Sequence, residues 1–275
     1  LATQELLDVV DGVTGEVSVR APLVADERRL LLTAMGRARR RLIVTAVDSD
    51  TGGDGAELHY ALARAWIAHG EPRRALDHVQ RALRDYPQDP EFQLLRARAL
   101  VMLDEYEAAG SAIDALRKGD QAPTILVESG NLLLQLGLYE DAAACFQRVP
   151  ADGPQATDAL LGLAAVHERC NRMAEAEAIA QELDRRRLTL NAHQLDLLLE
   201  LEAQLAGRNN DQALAQERLQ ALLQRPLADA MSRGDLWLKL GRCCDALGDV
   251  EAAMQAFASG HAERFAQVTS THAAL

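Results

Sequence analysis

Several motifs that would point to an enzyme are missing from this sequence. It has no G-x-x-x-x-G-K-[ST] phosphate loop, no H-E-x-x-H metal motif and no G-x-S-x-G nucleophile motif. Its seven histidines show no ligand spacing, and His59 and His167 fall in repeat helices where packing or surface roles are expected. We therefore expect a non-catalytic protein with no metal and no cofactor.

Cysteines and long apolar runs are also scarce. The four cysteines lack the paired spacing of zinc or redox sites, which predicts reduced thiols packed among helices. No run of 18 apolar residues occurs, so no membrane-spanning helix is expected. The acidic start LATQELLDVVDG lacks the charge pattern of a signal peptide. These features together predict a cytoplasmic location.

Aromatic residues make up only 4% of the chain, whereas apolar residues make up 48% and are dominated by Ala and Leu. This composition favours helix packed on helix over a sheet. The formal net charge of −12 argues against generic binding of nucleic acid or anionic membrane by the whole molecule. The basic stretch Arg37–Arg41 is the one place where we consider a nucleic-acid contact.

A turn residue followed five positions later by an alanine recurs along the chain. Residues 56–89 contain the first copy, two short amphipathic helices with a turn at Gly70-Glu71-Pro72 and a stop at Pro87. The six pairs are Gly70/Ala75, Asp104/Ala109, Gly137/Ala142, Asn171/Ala176, Asn210/Ala215 and Gly248/Ala253, at steps of 34, 33, 34, 39 and 38 residues. A generic Ala/Leu-rich helical bundle would not repeat the same spacing between turn residue and alanine six times.

The last copy carries the fullest signature, W-x-x-L-G…A-x-x-x-F, in Trp237, Leu240, Gly241, Ala253 and Phe257. This pattern resembles the tetratricopeptide repeat. The resemblance implies an all-α, right-handed α-solenoid of about six helix-turn-helix units within residues 56–275. Those units are near 56–89, 90–122, 123–156, 157–190, 191–230 and 234–268. The longer last two steps predict a disturbed regularity around residues 187–234.

In the family that the pattern resembles, the first helix of each unit faces a concave groove that docks a peptide. Carried over by position, Arg64, Arg98 and Asn131 occupy one equivalent place in three successive units and would form a ladder of donors. The alternative is that they are solvated, partly paired with Glu57 and Glu91. The predicted groove residues are Tyr60, Arg64, Leu94, Arg98, Val127, Asn131, Gln135, Arg169 and Arg242.

Residues 1–55 do not continue the repeat. A helix-like segment near 26–40 precedes the β-branched run 42–47, which predicts a small α/β-like N-terminal appendage joined by a Gly-rich linker. The stretch ADERRLLLTAMGRARRRLIVTAV (25–47) resembles the last motif of UvrD/RecB-type helicases. The resemblance implies that Arg37 is a contact to the γ-phosphate of ATP, vestigial here because no phosphate loop is present.

The function that these patterns favour is a protein–protein interaction scaffold that docks a peptide or protein segment. One alternative is a fragment of an ATP-dependent DNA helicase, or a helicase-associated subunit, that acts through Arg37 and its basic neighbours. The other rests on residues 236–265, which resemble the repeats that precede the catalytic domain in bacterial tetratricopeptide sulfotransferases. That resemblance implies a regulatory arm without its catalytic domain.

Overall fold

The computed structural model describes residues 7–11, 15–19, 54–117, 121–226 and 233–273. These residues form twelve α-helices, one short 3₁₀ helix and one β-hairpin. The chain divides into two compact units, Leu1–Asp141 and Ala142–Leu275, and each is described by itself. Within the described ranges, no helix combines the length and the apolar character needed to cross a membrane.

The first compact unit is built from antiparallel helix pairs. Its helices are α1 (Asp54–Ala68), α2 (Pro72–Asp85), α3 (Pro90–Met102), α4 (Tyr106–Arg117) and α5 (Pro123–Gln135), and α6 (Tyr139–Gln147) begins in it. Prolines start α2, α3 and α5, where the missing N–H costs nothing. The Asp89 carboxylate caps α3 by accepting from the N–H groups of Glu91 (2.9 Å) and Phe92 (3.2 Å). Besides pairing with α2 and α4, the first helices contact each other, α1 with α3 and α3 with α5.

The second compact unit continues the pattern with longer helices. Its members are α7 (Ala156–Arg169), α8 (Met173–Arg185), α9 (Ala192–Arg208), α10 (Gln212–Leu223), α11 (Arg233–Ala246) and α12 (Val250–Ala273), with the 3₁₀ helix Arg187–Thr189 after α8. The 39-residue step is absorbed by this 3₁₀ helix and by the 17 residues of α9. A capping box between Asn191 and Gln194 starts α9. The irregular spacing therefore falls in the interior of this unit, between well-formed helices.

The turn between the two helices of each pair is built the same way six times. The six turn residues of the sequence pattern all have positive φ: Gly70 82°, Asp104 60°, Gly137 74°, Asn171 58°, Asn210 62° and Gly248 80°. In each turn the next N–H donates to the carbonyl five residues back, for example Glu71 to Trp66 (2.9 Å) and Arg172 to His167 (2.8 Å). This is a Schellman closure, which needs one residue in the left-handed region. Gly, Asn and Asp are the residues that reach this region most readily.

The alanine that follows each turn lies at a helix crossing. Ala75, Ala109, Ala142 and Ala176 are 0% exposed, and Ala215 and Ala253 are 1% and 3% exposed. Large side chains fill the space around these close approaches, among them Leu62, Val79, Ile113, Leu183, Leu198 and Leu222. The predicted all-helical repeat is thereby confirmed, and its core runs between the helices of each unit.

The N-terminal part that the structure describes is a β-hairpin. Strands β1 (Leu7–Asp11) and β2 (Gly15–Val19) pair antiparallel with Val9 opposite Val17. No strand was predicted here, although β-branched valines flank an Asp-Gly turn signal. The helix at 26–40 and the strand at 42–47, on which the α/β-like appendage rested, lie outside the described residues.

Candidate functional site

A row of polar side chains follows the first helices of the first compact unit. We call it the first-helix row, and it consists of Tyr60 and Arg64 on α1, Glu91 and Arg98 on α3, and Glu128 and Asn131 on α5. Arg64, Arg98 and Asn131 each lie six residues before their turn residue and are exposed. Because α3 contacts both α1 and α5, the three equivalent positions follow one another across the unit.

Tyr60 anchors one end of the row. Its half-buried ring packs edge-on against Phe92, with centroids 5.8 Å apart, and the guanidinium of Arg64 lies 5.6 Å from its ring centre. Its hydroxyl hydrogen-bonds the Glu91 carboxylate. Burial, then the hydrogen bond and charge of Glu91, raise the pKa of Tyr60 to about 12. Tyr60 is therefore a neutral donor at physiological pH, committed to Glu91.

The middle of the row is an exposed ion pair. Arg98 Nη2 lies 3.4 Å from Glu128 Oε2, and both side chains are 45% exposed. Glu91 was predicted as a partner of the arginines, but its side chain binds Tyr60. The acid that pairs with Arg98 is Glu128, which was not predicted. Arginines and carboxylates balance along the row, so it offers donors and acceptors instead of a purely cationic ladder.

The apolar residues predicted for the groove are mostly covered by the fold. Leu94 and Val127 expose only 6% and 8% of their surface, so they form a floor and offer a ligand little area. Gln135, at the end of α5, is exposed. In the part of the chain that the structure describes, Asn131 and Gln135 have no hydrogen-bonding partner, which leaves their amides available.

The second compact unit carries its own polar contacts between first helices. Glu168, only 5% exposed, binds Arg208 through Nη2 at 2.7 Å and Nε at 2.9 Å. The predicted Arg169 lies beside the same carboxylate, with Nε at 3.6 Å. Arg169 and Arg208 both stand two residues before their turn residue, so two equivalent arginines share one buried acid. The predicted Arg242 is exposed, and its Nε donates to the Leu238 carbonyl at 3.4 Å.

The fifth repeat contributes polar residues between first helices that were not predicted from the sequence. Lys239 of α11 forms an ion pair with Glu200 of α9, and Gln204 Nε2 donates to Glu200 Oε1 at 3.3 Å. No groove residue was carried over to this repeat because its consensus is weak. Counting back from its turn residue, Asn210, would have placed Glu200, Gln204 and Arg208 at groove positions.

A separate cavity of about 290 Å³ opens between α8, α9 and α10. Its apolar floor includes Ala180 and Leu205, and Glu202 lines its wall. Burial is the main cause that raises the pKa of Glu202, while Arg218 (2.9 Å) and Arg187 (3.4 Å) oppose the shift. The acidic side chains that line this cavity already bind partners within the protein. They therefore offer a ligand few unoccupied polar groups.

The described ranges were compared with the geometry of metal sites and of reactive thiols. There, no group of three or more His, Cys, Asp and Glu side chains is arranged to hold a metal ion. The four cysteines are free thiols, and burial, followed by the neighbouring Cys244, raises the pKa of Cys243, which disfavours its reactive thiolate. The phosphate contact predicted at Arg37, with the basic stretch Arg37–Arg41, lies outside the described residues.

Comparisons with known proteins agree with this architecture. A family model described as tetratricopeptide repeat matches residues 60–123, 127–187 and 201–267. No curated protein matches the chain.

Three solved structures are similar in fold. A tetratricopeptide repeat protein from Parabacteroides merdae has a TM-score of 0.63 and 19% identity over 86% of this chain and 85% of its own. PilW, a type IV pilus biogenesis factor, has a TM-score of 0.61 and 19% identity, with coverage of 75% and 92%. Cut9, in the Cut9–Hcn1 hetero-tetramer of APC/C, has a TM-score of 0.59 and 14% identity, with coverage of 75% and 39%.

Proposed function

This chain belongs to the tetratricopeptide repeat family, and we propose that it is a non-catalytic scaffold that docks an extended peptide or protein segment along the first-helix row. The observation that carries the proposal is the alternation of exposed donors and acceptors on α1, α3 and α5. An extended backbone presents N–H and C=O groups in alternation, which such a row can match. A purely cationic ladder would instead favour a free carboxylate.

The ion pair in the row is weak enough to open for a ligand. Exposed pairs contribute roughly 0–1 kcal/mol because solvent screens them and ordering two long side chains costs entropy. Arg98 and Glu128, each 45% exposed and 3.4 Å apart, are such a pair. Exchanging their mutual contact for contacts to a peptide therefore costs little.

The similar structures support a scaffold role without specifying a ligand. One of them is a pilus biogenesis factor, and another was solved as a hetero-tetramer with its partner. At 14–19% identity these neighbours share the fold of this chain, so the nature of its partner is argued from the row alone.

The test is a quantitative capture experiment with the full chain as bait. The Arg64→Ala/Arg98→Ala variant is compared with wild type and with an Arg81→Ala/Arg84→Ala control. The control removes two exposed arginines from α2 that form no ion pair within the described residues. We expect at least one retained protein to be depleted about tenfold on the first variant alone, at unchanged helicity, as loss of two contacts of ~0.7 kcal/mol each predicts.

Equal retention by all three baits would place binding outside the row and contradict the proposal. For any captured partner, a peptide with an amidated carboxyl end should bind as well as the free acid. A strong preference for the free acid would instead indicate a carboxylate clamp.

No observation on the described residues supports the two alternatives, a helicase fragment and the regulatory arm of a sulfotransferase. The helicase reading depends on Arg37, which lies outside them, and the sulfotransferase reading depends on a catalytic domain that residues 236–265 do not contain. Salt-sensitive binding of nucleic acid that is lost on Arg37→Ala would favour the helicase reading over the scaffold.

A further inference from the structure

Two histidines meet where α1 and α2 pack together. His59 on α1 and His78 on α2 are 19 residues apart in sequence, and their Nδ1 atoms are 3.1 Å apart. The ring centres are 5.2 Å apart, at an interplanar angle of 38°. His78 is only 5% exposed, so the surrounding core restricts the movement of its ring. The two rings are thus held with the same nitrogen of each turned to the other.

This contact has two chemical readings, which depend on the protons. In the first, one Nδ1 carries a proton and donates it to the lone pair of the other. In the second, both Nδ1 atoms are deprotonated and share a metal ion. Imidazole nitrogens lie about 2.0–2.1 Å from Zn²⁺, so two of them 3.1 Å apart subtend roughly 100° at the ion. That angle is near the tetrahedral value that zinc prefers, so the spacing of the two nitrogens suits one ion once each ring turns to aim its Nδ1 lone pair at it.

We propose that His59 and His78 bind a divalent transition-metal ion of the class that prefers imidazole, with Zn²⁺ as its representative, through their two Nδ1 atoms. Zn²⁺, Cu²⁺ and Ni²⁺ all accept this ligand, whereas Mg²⁺ and Ca²⁺ prefer oxygen. Since the described residues supply no group of three or more ligands, water completes the coordination. The site lies at the crossing of α1 and α2 and is independent of docking on the first-helix row.

A bound ion would tie the two helices of the first repeat together. The ligands come from both members of one pair, so binding favours the paired state over the open one. The affinity depends on pH because both imidazoles must be neutral, and it falls as the pH drops through the histidine range.

The experiment is calorimetric titration of the full chain with Zn²⁺ at neutral pH. The wild type is compared with His59→Gln and with a matched control, His193→Gln, whose exposed histidine lies on α9. We expect a one-site isotherm for wild type and control, at least tenfold weaker binding for His59→Gln, and loss of binding at pH 5. Circular dichroism of each variant verifies that it is folded.

A second measurement tests the site in the wild-type protein, without any substitution. In wild type, the Nδ1 resonances of His59 and His78 should shift together at the same Zn²⁺ concentration, before those of other histidines. Zn²⁺ affinity unchanged in folded His59→Gln, or shifts confined to other histidines, would overturn the proposal and leave the contact as a hydrogen bond.

Discussion

At the scale of single residues, Tyr60 links the packing of the first repeat to the chemistry of the row. Its ring packs against Phe92 and its hydroxyl binds Glu91. The side chain therefore belongs both to the core and to the first-helix row. The same hydrogen bond holds the Glu91 carboxylate at the Tyr60 hydroxyl. Removing the hydroxyl alone therefore frees an acid of the row without disturbing the ring packing.

This arrangement predicts a specific alkaline response. The pKa of Tyr60 is raised from an ordinary value near 10 to about 12, so the folded state binds its proton more tightly than the unfolded state. Its stabilising contribution is complete below pH ~10 and is lost as the pH rises through the folded value. Tyr60→Phe should therefore reduce the loss of folding stability between pH 10 and pH 12.

The measurement combines chemical denaturation at several alkaline pH values with ring-carbon NMR of each tyrosine. Titration of Tyr60 near pH 10 would contradict both the burial of its hydroxyl and its hydrogen bond to Glu91 in solution. Tyr106 serves as an internal comparison, because its pKa is also raised, by the hydrogen bond and charge of Asp104.

At the scale of the helix pair, the turn residues were the most predictable feature of the chain. Local rules place Gly, Asp or Asn where a helix ends, and the closing hydrogen bonds span only six residues. The burial of Ala75 and Ala176 was predicted by the same local spacing, five residues after the turn residue. Sequence alone is sufficient for such features because no distant residue has to be positioned first.

The turn geometry predicts opposite signs for two chemically identical substitutions. Gly70 has φ of 82°, and an added Cβ would meet nothing within 4 Å, so Gly70→Ala should destabilise by about 1 kcal/mol through backbone strain alone. Gly110, inside α4, is also open to a Cβ but has ordinary helical geometry, so Gly110→Ala should stabilise by roughly 0.5–1 kcal/mol.

Denaturant unfolding of the two variants beside wild type tests this pair. Both substitutions remove conformational freedom from the unfolded chain equally, so that contribution cancels in the comparison. A similar change in stability for both variants would mean that the left-handed turn is not retained in solution.

Contacts that cross between helices were far less predictable. Arg98 and Glu128 are 30 residues apart, and Glu168 and Arg208 are 40 apart, so pairing them requires the register of neighbouring helices. His59 and His78 are a similar case, because ligand motifs are read along one helix while these two rings lie on different ones. The strands Leu7–Asp11 and Gly15–Val19 were not predicted, because each has only five residues and so short an alternation is a weak signal.

At the scale of the whole molecule, a repeat contacts chiefly its neighbours, so damage should remain local. The clearest place to impose damage is Gly241 on α11, where a Cβ would lie 2.6 Å from two ring atoms of Phe257. Gly241→Ala should destabilise by about 1–3 kcal/mol, since a ring packed between helices cannot move away cheaply. Gly207→Ala, whose Cβ would meet nothing within 4 Å, is the control.

Hydrogen exchange should then show where the damage spreads. Protection should fall most in α11 and α12, less in α10, which contacts α11, and least in α7, two repeats away. A uniform loss of protection through all these helices would indicate a single cooperative core in place of neighbour-limited stability.

The turn-closing hydrogen bonds join residues close in sequence, which has a consequence for folding during synthesis on the ribosome. Each helix pair is complete within about 34 residues, which a ribosome adds in roughly 2–7 s at 5–20 residues per second. A pair can therefore close while the next is still being synthesised, because its contacts are local and quickly formed. The arginines and acids on α1, α3 and α5 would come together in the order of translation, and each arriving helix would find the preceding one already in place.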